Sequence, residues 1–183
     1  MASTFIQDHN RLFSDLSAAL SRDMAKLSTE ANGGKSILFV YPPEDEDNYI
    51  QEARRRYTDG FEFIDLRELF VEFVESKGIE KFKKQFKNMG TEVFVSQNYT
   101  DGTFYSFLMK RIAEVADKEL SPILIHTGTI FKMGFSNQNI MEDPNVIKFQ
   151  RPLIFFYPAT IKDDTIWFLD KQPASKYRCV VVM

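Results

Sequence analysis

The chain has 183 residues, 44% of them hydrophobic and 27% charged, with a net charge of −3 from 23 basic and 26 acidic side chains. That composition belongs to a globular domain able to bury a core without disulfides, and its acidic balance argues against a protein that coats nucleic acid by itself. The single cysteine, Cys179, excludes an internal disulfide and a Cys-based zinc site, and two histidines exclude a multi-histidine metal centre.

Phe5, Leu12, Phe13, Leu16, Ala19, Leu20, Met24 and Leu27 recur at three- and four-residue spacing, which predicts one amphipathic helix over residues 4–27. Residues 1–30 therefore read as a helix packing on the rest of a single α/β domain spanning 1–183. The first twelve residues lack the basic start and apolar run of a signal peptide, and no apolar stretch approaches the ~20 residues of a transmembrane helix. A soluble cytoplasmic protein is expected. Asn32-Gly33-Gly34 breaks the helical pattern. Residues 37–41 are solidly apolar, as in a strand buried on both faces. Pro42-Pro43 stops it, and the acidic run 44–47 suits the first turn of a helix reaching about Tyr57.

Residues 61–65 predict a short strand, and 66–77 a helix ended by Gly78. A second helix, about 79–88, sets Phe82 and Phe86 on one face and its lysines on the other. Residues 93–95 suit a short extended piece, and 103–118 a helix. Strands follow at 123–126 and at 153–157, the second ended by Pro158. Residues 129–150 are irregular, with a short helix near 136–142. Two more strands are expected at 165–169 and 177–182, with Lys162-Asp163-Asp164 a turn before the first. The last two lie close together, which leaves an antiparallel edge open.

Apolar strands alternating with helices define an α/β fold. The expected form is a Rossmann-like three-layer sandwich, a mostly parallel sheet with helices on both faces. Ligands of such sheets gather beyond the carboxyl ends of the strands. Here that edge carries Tyr41, Pro43, Glu44, Asp45, Asp65, His126, Thr127, Gly128 and Tyr157.

The chemistry along this edge is incomplete. Gly33-Gly34-Lys35-Ser36 ends like a phosphate-binding loop, but Thr29 stands where its first glycine belongs, and the helix precedes rather than follows the loop. Glu44, Asp45 and Asp65 could hold Mg²⁺ if further carboxylates converged on them. His126 stands where a general base could sit, with Asp65 or Asp170 to orient it, yet the G-x-S-x-G pattern of a nucleophile elbow is absent. Cys179 lies among valines and reads as an inert buried thiol. Arg54, Arg55 and Arg56, with Lys81, Lys83, Lys84 and Lys87, are the candidate nucleic-acid contacts if they join in space. Eighteen Phe in the chain point to a thick core, or to aromatic surface kept for a partner.

Residues 39–46, Phe-Val-Tyr-Pro-Pro-Glu-Asp-Glu, are similar to the Y-P-P-E segment near the start of the BrxB family of bacteriophage exclusion (BREX) defence systems. Residues 123–131 resemble that family's strand ending in Thr-Gly. Residues 151–158, the strand at 165–169 and Lys176-Tyr177-Arg178 resemble its ending. The chain departs from the pattern at Ala159, where the family has Gly, and at Lys132-Met133-Gly134-Phe135, where it has Pro-Phe-Arg. The resemblance implies a divergent member: a small, non-catalytic adaptor working with a PglZ-like phosphatase, an adenine methyltransferase and a large ATPase, and meeting DNA only indirectly. It carries over no catalytic residue, and no cofactor or metal is expected. The alternative expectation is a degenerate nucleotide- or nucleic-acid-binding subunit using the strand-end edge. A third is a Mg²⁺-dependent hydrolase around Glu44, Asp45 and Asp65.

Overall fold

Strand β1, Ser36–Tyr41, is buried along its whole length, as an apolar strand must be when a parallel sheet is covered on both sides. Its neighbours are β4, Leu153–Lys162, and β7, Cys179–Val182, both parallel to it. Beyond β4 lie β3, Ser121–Ile125, and β2, Phe61–Asp65, giving the order β2-β3-β4-β1-β7. The outer half of β4 pairs antiparallel with β5, Thr165–Phe168, which pairs in turn with β6, Gln172–Pro173. The structure is a computed structural model. It describes residues 2–96 and 101–183, with side chains from residue 7 onward, so Phe5 of the predicted stripe lies outside the described side chains.

The two-residue alternation of the strands sorts the core. Ile37, Phe39 and Tyr41 of β1, with Ile154 and Phe156 of β4, face α1 (Ala2–Leu20), α2 (Met24–Glu30) and α3 (Glu46–Arg56). Leu38, Val40, Phe155 and Tyr157 face the other way. They meet α4 (Leu66–Lys77), α6 (Phe104–Ala116) and the short α7 (Asn137–Met141). Helix α5, Ile79–Met89, packs outside α4. The expected mostly parallel sheet with helices on both faces is present. Among the described residues no helix is long and apolar enough to cross a membrane.

Several expectations need correction. The helix predicted over 4–27 is two helices. Ser21 turns its hydroxyl onto the Ala18 carbonyl at 2.8 Å, and Asp23 accepts from the Lys26 N–H at 2.8 Å. Short polar side chains that bond nearby backbone end one helix and cap the next. Asp23→Ala is expected to lower stability by about 1 kcal/mol, read as a shifted urea midpoint with an unchanged slope. Residues 90–93 form a 3-10 turn rather than leading into an extended piece, and this tucks Val93 and Phe94 into the core.

Pro158 does not end its strand. It is the last residue of β4 in register with β1, and Ala159 is the first in register with β5. A residue without an N–H fits where one ladder hands over to another. The turn into β5 places Asp163 and Asp164 at φ 49° and 60°, the left-handed pair that suits a two-residue hairpin. The last two predicted strands therefore do not pair. The antiparallel partner of β5 is β4, while β7 returns to lie parallel beside β1.

Candidate functional site at the carboxyl edge of the sheet

The chain leaves β1 toward the face covered by α3, and leaves β4 and β3 toward the other. That divergence opens the crevice in which α/β proteins hold ligands. Most of the predicted edge residues lie there, but their polar groups are turned inward. The Tyr41 hydroxyl donates to Glu46 at 2.9 Å, and its ring stacks on Tyr49 at 5.0 Å. Burial, and then the Glu46 charge, push this phenol well above its ordinary range. The Tyr157 hydroxyl donates to Asn137 at 3.3 Å, and its ring lies 4.4 Å from that of Phe168. The Tyr157 phenol is likewise raised by burial. Thr127 is fully buried and donates to the Phe156 carbonyl at 2.6 Å. Leu169 packs over Gly128. Pro43 starts a 3-10 turn, Pro43–Asp45, on which Glu44 is exposed and Asp45 half-buried.

His126 is the exception in character. It ends β3 in the left-handed region, φ 52° and ψ 42°, and so turns the chain into the 3-10 segment Thr127–Ile130. Its Nδ1 lies 2.8 Å from Asp65 Oδ2, at the end of the neighbouring β2. His126 is 8% exposed and Asp65 9%. Asp65 also caps α4, accepting from the Arg67 N–H at 3.0 Å, and the Arg67 guanidinium approaches at 3.5 Å. Burial alone would raise the Asp65 carboxyl. The hydrogen bonds from Arg67 and the facing His126 outweigh it and hold the group below its usual range. An ionised carboxylate accepts, so Nδ1 of the ring carries a proton and Nε2 points away from Asp65.

Of the two acids named as orienters, Asp65 holds the ring. Asp170 instead accepts from Thr160 and pairs with Lys162. An imidazole held in this way can serve as a base or as a hydrogen-bond acceptor. Among the described residues its ring is bonded to Asp65, and no hydroxyl or thiol joins it.

The other predicted groups do not assemble with this pair. Among the described residues no three His, Cys, Asp or Glu side chains gather as metal ligands. Cys179 is buried on β7, and burial pushes its thiol up to about 12. It is expected to react with a thiol reagent at pH 8 at least about a hundredfold more slowly in native protein than in urea. Arg55 and Arg56 both bond Glu52, at 2.6 and 2.5 Å, and hold its carboxyl down to about 2. Arg54 lies over Phe63, and Arg56 over Phe13. These arginines belong to α3. Lys81, Lys83, Lys84 and Lys87 belong to α5, on the opposite side of the sheet.

A second feature was not legible as surface. Val71, Ile79, Phe86 and Met89 are 54%, 59%, 46% and 47% exposed, all on α4 and α5. An apolar cleft of about 590 Å³ along α4 is lined by Phe70, Val71, Val74 and Glu75, with Ile79 from the start of α5. Helical spacing placed Phe86 on an inward stripe. It is half exposed because α5 lies outside α4 and only Phe82 and Gln85 of its packed side reach partial burial. No protein-family model, curated protein or solved structure matches the chain.

Proposed function

We propose that this chain is a non-catalytic adaptor that binds other proteins through the apolar face of α4 and α5. Its partners are the subunits of a BREX-type anti-phage complex in the cytoplasm, the PglZ-like phosphatase first, then the adenine methyltransferase and the large ATPase. The observation that carries the binding reading is the apolar cleft on α4, where Val71 and Ile79 are each more than half exposed. Single exposed apolar residues are ordinary, whereas a contiguous set marks an interaction surface. The inward engagement of Tyr41, Thr127 and Tyr157 supports the same reading, because it leaves few polar groups at the sheet edge to hold a small molecule. The choice of partners rests on the sequence resemblance at residues 39–46, 123–131 and 151–178.

The test is a tagged pull-down from a host carrying the neighbouring genes, at moderate salt, with mass spectrometry of what co-purifies. Stoichiometric recovery of a PglZ-like phosphatase, methyltransferase or large ATPase is expected, and its loss in the Val71→Glu variant. Recovery of the chain alone, or with nucleic acid that salt removes, overturns the adaptor reading and favours the nucleotide- or nucleic-acid-binding one.

A further inference from the structure

The loop that follows the 3-10 segment Thr127–Ile130 lines a second cavity, of about 430 Å³, together with Thr91 and with Gln172 of β6. Its lining includes Lys132 and, among the described residues, no acidic side chain. The Lys132 ammonium lies 5.5 Å from the centre of the Phe131 ring and, among the described residues, has no carboxylate partner. Lys132 and Gly134 have φ of 60° and 86°, and Met133 between them lies outside the left-handed region. Such alternation turns neighbouring backbone N–H groups into a concave anion cradle. The Met133 N–H returns to the Ile130 carbonyl at 3.1 Å, but those of Gly134 and Phe135 find no acceptor among the described residues. Phe135 is only 7% exposed, and a buried N–H seldom stays without a partner. The side chains of Thr91 and Gln172 are also unengaged among the described residues. Ser136 instead bonds Asn139 Oδ1, through its N–H at 2.8 Å and its hydroxyl at 3.2 Å, so this pair forms a wall.

We infer that this cavity binds the phosphate group of a free, small phosphate ester. Lys132 supplies the charge. The N–H groups of Gly134 and Phe135, the Thr91 hydroxyl and the Gln172 amide supply further donors. A carboxylate has two oxygens to offer them, whereas a phosphate ester presents three, so the phosphate uses more of the set. The volume is that of a small-molecule site. A nucleic-acid backbone needs several of its phosphates neutralised together, and one lysine in a chain of net charge −3 does not do that. The site shares no lining residue with the cleft on α4, so it stands or falls separately from the docking surface.

The test is an amide-resolved NMR titration of the full chain with glycerol phosphate, inorganic phosphate and acetate, in about 0.15 M salt. Glycerol phosphate should shift the Gly134 and Phe135 amides to saturation with a midpoint below about 1 mM. Inorganic phosphate should move the same amides, and acetate should act at least about tenfold more weakly. Lys132→Met should weaken glycerol phosphate at least about tenfold, and Lys132→Arg should keep its affinity within about threefold. Lys132 is exposed, so the melting curve of both variants should stay in place. Lys148→Met, at an exposed lysine outside this cavity, should change nothing. No saturable shift of the two amides, an equal response to acetate, or the same weakening in Lys148→Met overturns the inference. So does a single-stranded oligonucleotide or a phosphoserine peptide that moves these amides more than about tenfold more tightly than glycerol phosphate, because the phosphate group would then belong to a macromolecule.

Discussion

Gly34→Ala is expected to destabilise the protein by on the order of 3 kcal/mol, read as the fall in unfolding free energy in a urea titration. A Cβ on Gly34 would lie 1.9 Å from the Arg178 carbonyl oxygen and 2.8 Å from its Cα. These are backbone atoms, so no side chain can swing aside. The Arg178 backbone must move instead, and the next residue, Cys179, opens the β1–β7 ladder opposite Ser36. Gly33→Ala is the control. Gly33 has φ +85°, so it also resists a side chain, but its nearest neighbour is the end of the Arg178 side chain, at 3.3 Å. About 1 kcal/mol of backbone strain is expected there. Equal effects at the two positions would show that the close approach is not what Gly34 supplies. The glycines of the loop that resembles a phosphate cradle thus have a structural occupation: they let β7 reach the edge of β1.

Asp65→Ala is expected to cost about 3 kcal/mol at neutral pH. Losing the cap of α4 accounts for about 1 kcal/mol, and stranding the nearly buried His126 Nδ1–H for about 2. Asp65→Asn keeps a capping oxygen and should lose about half as much. The pH dependence separates this pair from an ordinary packing contact. The folded Asp65 carboxyl lies below its unfolded range, so its contribution is present in full above about pH 4 to 5. It is lost as pH falls through the folded value. The gap in stability between the natural protein and Asp65→Asn should therefore narrow below pH 4. A gap that stays constant from pH 7 to pH 3 would show that the carboxylate charge contributes nothing.

Much of the layered fold is legible because burial on two faces leaves its mark in composition. Residues 37–41 and 153–157 are apolar throughout, and they are the centre of the sheet. Where short polar side chains act on the backbone, periodicity misleads: Ser21 and Asp23 interrupt an apolar stripe that continues unbroken to Leu27. Pro158 misleads for the opposite reason, since a missing donor is harmless at the handover from β1 to β5. The partner of β7 is hidden because parallel pairing depends on the path of the chain and not on closeness in sequence. The His126–Asp65 pair joins residues 61 apart, and the sequence offered Asp170 as readily. The exposure of Ile79 and Phe86 was hidden because the spacing of a stripe says which face is apolar, not how much of it a neighbour covers.

The sheet order also has a consequence for the growing chain. Both strands that flank β1 are encoded far downstream, β4 from residue 153 and β7 from residue 179. A ribosome adding about 5–20 residues per second needs roughly 6–20 s to travel from the end of β1 to the start of β4. Throughout that interval an apolar strand has both of its hydrogen-bonding edges open. The nascent protein is thus at its most vulnerable long after its central strand has emerged, and a chaperone that shields residues 36–41 would act in that window.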